Sequence, residues 1–331
     1  MATQGALIRA IDYTEIQKDV ARLLGDRILD NKYTSDPQRA TYGYGQTISS
    51  GAVARESLAD DAHIGSLKAD VRRIAIHCGV EFNPAIVNLP TVQQGDLIEN
   101  EHLSAFEVAV NLLNANRFNL AAGQYSDEVS NISNSRSTSW GVSGSYLYGL
   151  GGNTIKHSFT LDFGTSTNAR YFFNSGSQVR LTASRTGGSA SQNNTVWSNL
   201  LSSMGTIVFG HASTYSTGSG TGSNIGFYQL TNSPQKLYTR TGVLGTGAYT
   251  SKYVANDYTV YARCDVANNS LGQSSRVLFD VEFNDDHTSQ VYLNDITDGL
   301  ISSNVTIRRA SGIHVNVAGP TATNTRLLSN N

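Results

Sequence analysis

The densest group of potential ligands in the chain is Asp280-Val281-Glu282-Phe283-Asn284-Asp285-Asp286. Side chains alternate along an extended strand, so Asp280, Glu282 and Asn284 fall on one face. Three readings fit. Hard cations collect carboxylate and amide oxygens, which suits calcium. A pair of carboxylates set across a cleft suits glycosidic hydrolysis. A plain strand would turn its acids to solvent and Val281 and Phe283 to the core. One short cluster lacks the partners that the first two need. The expectation is therefore the third, with no catalytic, cofactor-binding or metal-binding residue assigned.

The other reactive residue types are scattered. His63, His77, His102, His157, His211, His287 and His314 include no pair at the i, i+4 spacing of a helical metal site. Gly218-Ser219-Gly220-Thr221-Gly222 is glycine-rich, but no apolar strand feeds it directly and no helical pattern follows, so it reads as a loop and not a phosphate cradle. Cys78 and Cys264 are too far apart in sequence to form a framework or a metal cluster and read as buried thiols. Arg308-Arg309 could hold an acidic partner, or simply solvate a strand edge. Tyr146, Tyr148, Tyr171, Tyr228, Tyr238, Tyr253, Tyr258 and Tyr261 could stack on sugars; half-buried strand positions are the plainer fate for each.

Composition narrows the class. The chain has 331 residues, 15% of them charged, and a formal net charge of -2, which gives no electrostatic case for nucleic acid. Residues 1–125 hold 11 Lys/Arg and 15 Asp/Glu, against 13 and 11 in the remainder, so charge density falls sharply past residue 125. MATQGALIRAIDY has no apolar run suited to a signal peptide, and no stretch has the length and apolarity of a membrane span.

These residues need elements to position them. Three helices are expected in residues 1–125. The first runs from Tyr13 to Leu24, capped by Asp12 and stopped by Gly25. The second runs from Asp61 to His77, with Ile64, Leu67, Val71, Ile74 and Cys78 as its stripe. The third runs from Asn100 to Asn116, with Leu103, Phe106, Val110 and Leu113 on one face. A Gly/Tyr loop, Tyr42-Gly43-Tyr44-Gly45-Gln46-Thr47, lies between the first two.

Past Ser126 the period drops to two. Strands are expected at His157–Phe163, Ala169–Phe173, Gln178–Ala183, Gly205–Phe209, Ile225–Gln229, Gln235–Thr239, Thr259–Asp265, Arg276–Phe283, Val305–Arg308 and Val315–Val317. Asn194–Met204 reads as one short amphipathic helix. Ser130–Ser139 and Thr214–Ser223 read as loops, and Thr321–Asn331 as a polar tail. The class is α+β, with a helical attachment domain over 1–125 and a mainly antiparallel β body over 126–331, sandwich or jelly-roll-like.

Several segments carry a resemblance. IDYTEIQKDVARLLG (11–25), YGYGQTISSGAV (42–53) and LKADVRRIAIHCG (67–79) resemble a module of virion structural proteins from tailed marine phages of the contractile-tailed cyanophage type. FTLDFGTSTNARYFFNSGSQVRLTASRTGG (159–188) and NNTVWSNLLSSMGTIVFG (193–210) are similar to the β part of the same proteins. The resemblance covers about half of the chain and names no catalytic residue. It implies a neck, tail or baseplate-associated component of the virion, not an enzyme. Other virion proteins, and further copies of the chain in a trimer or hexamer, would be the partners. The alternative is a receptor-binding fibre module that reads host surface glycans. A particle-associated glycan hydrolase would rest on Asp280 and Glu282 alone.

Overall fold

The computed structural model describes residues 10–26, 43–54, 59–96, 98–140, 153–242, 253–285 and 297–327. Two compact units divide the chain. The first is assembled from Met1–Ser126, Arg170–Ser177 and Arg309–Gly319, so the helical part recruits two short segments from what reads in the sequence as β body. The second comprises Asp127–Ala169, Gln178–Arg308 and Pro320–Asn331.

The helical unit is built on α1 (Ala10–Leu24), α2 (Asp61–Cys78), the single turn α3 (Pro84–Val87) and α4 (Asn100–Asn116). Each long helix buries the face expected of it: Ile16, Val20 and Leu24 on α1, Ile64, Leu67, Val71 and Ile74 on α2, Leu103, Phe106 and Leu113 on α4. The three long helices pack on one another in every pairing. The first helix begins at Ala10, so Asp12 is not its cap. It lies in the first turn, where a carboxylate still complements the helix dipole. The second helix is capped by Asp60, whose side chain accepts the His63 N–H at 3.0 Å.

The β unit contains β1 (Tyr125–Arg136), β2 (Asn153–Asp162), β3 (Gln178–Thr186), β4 (Ile207–Phe209), β5 (Thr214–Ser216), β6 (Gln235–Thr241), β7 (Asp257–Cys264), β8 (Arg276–Asp285), β9 (Leu300–Ala310) and β10 (Thr321–Leu327). One sheet has the order β1-β9-β3-β4-β5 and the other β10-β2-β8-β7-β6. Beside the β1-β9 and β2-β8 neighbours, β3-β4-β5 and β6-β7-β8 run as consecutive strands, and the two antiparallel sheets make a sandwich-like body. The two sheets face each other: Phe209 of β4 meets Phe279 of β8 at 5.2 Å between ring centres. The helix α6 (Gln192–Met204) buries Val196, Trp197, Leu200, Leu201 and Met204 against this body. Trp197 stacks on Trp140 at 5.1 Å and on Phe283 at 6.1 Å.

Six stretches depart from the sequence reading. Ala169–Phe173 belongs to a helix, α5 (Ser166–Asn174), not to a strand. Ala169, Phe172 and Phe173 are all buried, a 3-4 spacing that strand alternation cannot satisfy. Ile225–Gln229 holds a 3-10 turn at Phe227–Gln229. Val315–Val317 lies outside the strands. Ser130–Ser139 is mostly strand β1; the polar Asn134 and Arg136 are buried there, and Asn134 donates to the Ser158 carbonyl at 3.1 Å. Part of the expected tail is β10, which runs in register along β2 from Thr321↔Asp162 to Leu327↔Lys156. The Thr214–Ser223 stretch begins with strand β5, and Thr214 bridges Ser223.

Candidate functional site

The acidic strand lies where expected, at β8. Val281, Phe283 and Asp285 are buried; Asp280, Glu282 and Asn284 occupy the opposite, half-buried face. That face is closed by its neighbours. Lys156 of β2 places its Nζ 3.0 Å from Asp280 Oδ2 and 3.5 Å from Glu282 Oε1. Ser158 Oγ donates to Asp280 Oδ1 at 2.6 Å. Asn284 accepts from Thr154 Oγ1 at 2.8 Å and donates to Asp257 Oδ1 at 3.0 Å. Thr259 Oγ1 also donates to Asp257 at 2.6 Å. An ammonium thus supplies the counter-charge that a cation would bring. Among the described residues no group of three or more His, Cys, Asp or Glu side chains is placed to hold a metal ion. Asp286 and His287 lie outside the described residues.

Asp285 turns inward instead. Its carboxylate accepts from Asn193 Nδ2 at 3.1 Å, and Asn193 accepts from Asn256 Nδ2 at 3.1 Å. This buried chain links α6 to the starts of β7 and the end of β8. A second polar hub is Asp298, which the sequence reading did not single out. Its carboxylate receives the Ser189 N–H at 3.0 Å, the Ser189 hydroxyl at 3.0 Å and the Asn194 amide, with Arg185 NH2 at 3.4 Å. The Asn194 and Ser189 donors hold that carboxyl below the usual range. The only hint in the sequence is an Asp-Gly turn at 298–299.

The histidines disperse in the fold as they do in the sequence. His63 caps α2. His157 is buried between the sheets, where its Nδ1 meets Ser303 Oγ and its ring lies 5.3 Å from Phe283. His77 is buried in the helical unit with its Nε2 3.0 Å from the Ser175 carbonyl, and burial pushes its pKa down to about 4. Both cysteines are buried, and burial raises each thiol to about 11. Neither is poised as a nucleophile, which requires a thiolate.

The glycine-rich and tyrosine-rich motifs have structural work. Gly220 adopts φ +126, and a Cβ there would fall 2.1 Å from Tyr238 Oη. The tract 218–222 is the seat of a tyrosine, not of a phosphate. Tyr228, Tyr238, Tyr253 and Tyr258 are buried, and Tyr261 stands half-exposed on the outer face beside Asp280 and Glu282. Tyr146 and Tyr148 lie outside the described residues. Arg308 pairs through two contacts with Asp127, at 2.6 and 2.7 Å, and Arg309 reaches Asn316 Oδ1 at 2.8 Å and the Val317 carbonyl at 3.0 Å. Both arginines are engaged inside the chain.

The described part of the Gly/Tyr loop, from Gly43 onward, is the clasp of the helical unit. Backbone N–H groups of Tyr44, Gly45 and Gln46 bond to the carbonyls of Leu23, Gly25 and Leu24 at the end of α1. Tyr44 Oη donates to the Arg117 carbonyl at 2.6 Å beyond α4. Asn174 donates to the Gly43 carbonyl at 3.1 Å. Gln46 donates to the Asn316 carbonyl at 3.1 Å and accepts the Asn316 N–H at 3.3 Å. The following Ser49 and Ser50 N–H groups both bond to Asp70 Oδ2, at 2.8 and 2.7 Å; this fully buried carboxylate also pairs with Arg73 at 2.9 Å. Residues 43–50 thus join all three sequence segments of the unit.

No protein-family model, no curated protein and no solved structure matches this chain. No helix among the described residues is long and apolar enough to cross a membrane.

Proposed function

We propose that the chain is a structural component of a tailed phage virion, associated with the neck, tail or baseplate, that assembles as a symmetric oligomer and docks other virion proteins. One observation carries the reading. The segment at the centre of the sequence resemblance, 43–53, acts as a clasp for its own unit, and the residues best suited to chemistry, Asp280 and Glu282, are committed to Lys156. A chain whose distinctive polar residues hold its own parts together is suited to bearing contacts. The β body supplies a closed, edge-protected scaffold: Asn324 of β10 donates to the Ser133 carbonyl of β1 at 3.0 Å, and β5 packs on β6.

Size-exclusion chromatography with light scattering on the purified full chain tests the assembly part. A trimer or hexamer is expected; a monomer at all concentrations contradicts it.

The second reading is glycan recognition by the outer face of the β10-β2-β8-β7-β6 sheet. It is favoured by Tyr261, the half-exposed ring among hydroxyl, amide and carboxylate groups on that face. Binding of the full chain to host polysaccharide, lost in Tyr261→Ala, would support it; no binding removes it.

A further inference from the structure

We infer that the interior of the β unit encloses a hydration site beside Trp197, where ordered water bonds to the indole N–H groups of Trp140 and Trp197, the hydroxyls of Tyr258 and Thr297, and the amide oxygen of Asn256. None of these five side chains is more than 6% exposed. Trp140 Nε1, Trp197 Nε1, Asn256 Oδ1, Tyr258 Oη and Thr297 Oγ1 are shut off from bulk solvent and have no hydrogen-bond partner among the described residues. Buried polar atoms are normally bonded, to protein or to ordered water, so five exceptions ask for a cause.

One neighbourhood holds them. The Trp197 ring lies 5.1 Å from that of Trp140 and 6.1 Å from that of Phe283, and Tyr258 packs on the other partner of this contact, 5.1 Å from Phe283. Thr297 is tied to Trp140 by two backbone bonds, at 2.9 and 2.7 Å. Asn256 Nδ2 donates at 3.1 Å to Asn193, which stands one turn before Trp197 on α6.

Chemistry selects the occupant. An indole N–H only donates, the Asn256 oxygen only accepts, and the two hydroxyls do both. A ligand for this set must both donate and accept. A metal ion does neither job for an indole N–H, and no group of His, Cys, Asp or Glu among the described residues is placed to hold one. An anion has nothing to offer the Asn256 oxygen and would approach the Asp285 carboxylate, which reaches Asn256 through Asn193. Water satisfies every member. About two molecules making about three hydrogen bonds each would serve all five groups.

Trp140 and Trp197 are the only two tryptophans in the chain, so intrinsic fluorescence reports on this site alone. The wild-type full chain should emit to the red of a dry indole and should still resist quenching by acrylamide. Emission of a dry indole overturns the site. So does red emission that acrylamide quenches freely, because the rings would then face bulk solvent. Oxygen-17 relaxation dispersion counts long-held water on the same protein, and Tyr258→Phe combined with Trp197→Phe should lower that count; an unchanged count in the folded double variant overturns the site. Tyr258→Phe alone removes a hydroxyl bonded to water and should lower the melting temperature by about 2–4 °C. A rise in melting temperature would mean that a dry, unpaired hydroxyl had been removed, and overturns the site. The wild-type emission decides the matter even where a variant fails to fold.

Discussion

His77 Nε2 sits 3.0 Å from the Ser175 carbonyl oxygen, 98 residues away in sequence and within the same unit. The contact requires the N–H on Nε2, and the buried Nδ1 has no hydrogen-bond partner. The ring packs on Tyr44 at 4.9 Å, and Cys78 Sγ lies 3.6 Å from Tyr44 Oη. One neutral imidazole therefore ties α2 to both the Gly/Tyr clasp and the Arg170–Ser177 segment.

Acid should loosen this unit. Burial lowers the pKa of His77 from 6.5 to about 4, so the unfolded chain takes up a proton before the folded one. Its neutral form stabilises fully above about pH 6.5, and that contribution is lost as pH falls from 6.5 towards 4, by about 3 kcal/mol in all. Helix melting followed by circular dichroism at pH 7 and pH 4.5 should show a steeper loss for wild type than for His77→Gln. Parallel losses would remove His77 as the cause.

Asp70 should be the least replaceable carboxylate. It is fully buried and accepts two backbone N–H groups and Arg73. Asp70→Ala leaves the Ser49 and Ser50 N–H groups without their acceptor and Arg73 with the Thr47 carbonyl alone, and should cost about 3–5 kcal/mol. Denaturant unfolding of the helical signal measures it; a cost below 1 kcal/mol would show that the serine N–H groups find other partners.

Gly45 and Tyr171 should be energetically coupled. Gly45 has φ +71, and a Cβ there would fall 2.4 Å from the Tyr171 ring. Gly45→Ala should destabilise by about 2 kcal/mol, from both backbone strain and the clash. Tyr171→Ala in the same chain should recover the clash but not the strain, giving a nonadditive double-mutant cycle. Additive effects would mean that the ring moves aside freely.

The Lys156 lattice should exclude calcium. Titration of the full chain with millimolar calcium should give no heat. Lys156→Met should cost about 1 kcal/mol or less, because the lattice is partly exposed, and should raise calcium affinity by leaving Asp280 and Glu282 without their ammonium. Tight calcium binding to the wild type at this face would contradict the reading of a closed ion-pair network.

Much of the fold was legible because burial follows period. The stripes of α2 and α4 and the alternation of β8 were readable residue by residue. Elements failed where polarity and burial part company. Strand β1 turns Asn134 and Arg136 inward, β10 is a polar edge that borrows its register from β2, and α5 is too short to separate its period from that of a strand. The candidate site was half legible. The face shared by Asp280 and Glu282 follows from strand geometry, but Lys156 comes from a strand 124 residues away from Asp280, and no local pattern announces such a pairing. The division of the chain was hidden for the same reason. Residues 170–177 and 309–319 join the helical unit through long-range bonds such as Asn174 to Gly43. Deleting 1–125 would strip those segments of their partners, so point variants such as Asp70→Ala are the cleaner means of disabling that unit.

The central claim is that this chain acts by fitting against other proteins of a particle. Immunogold labelling of intact tailed particles, with an antibody to the β unit, tests it most directly. The account predicts label confined to the neck, tail or baseplate at a copy number that follows the particle's rotational symmetry. Particles carrying no label, with the chain recovered only free in the lysate, would contradict it.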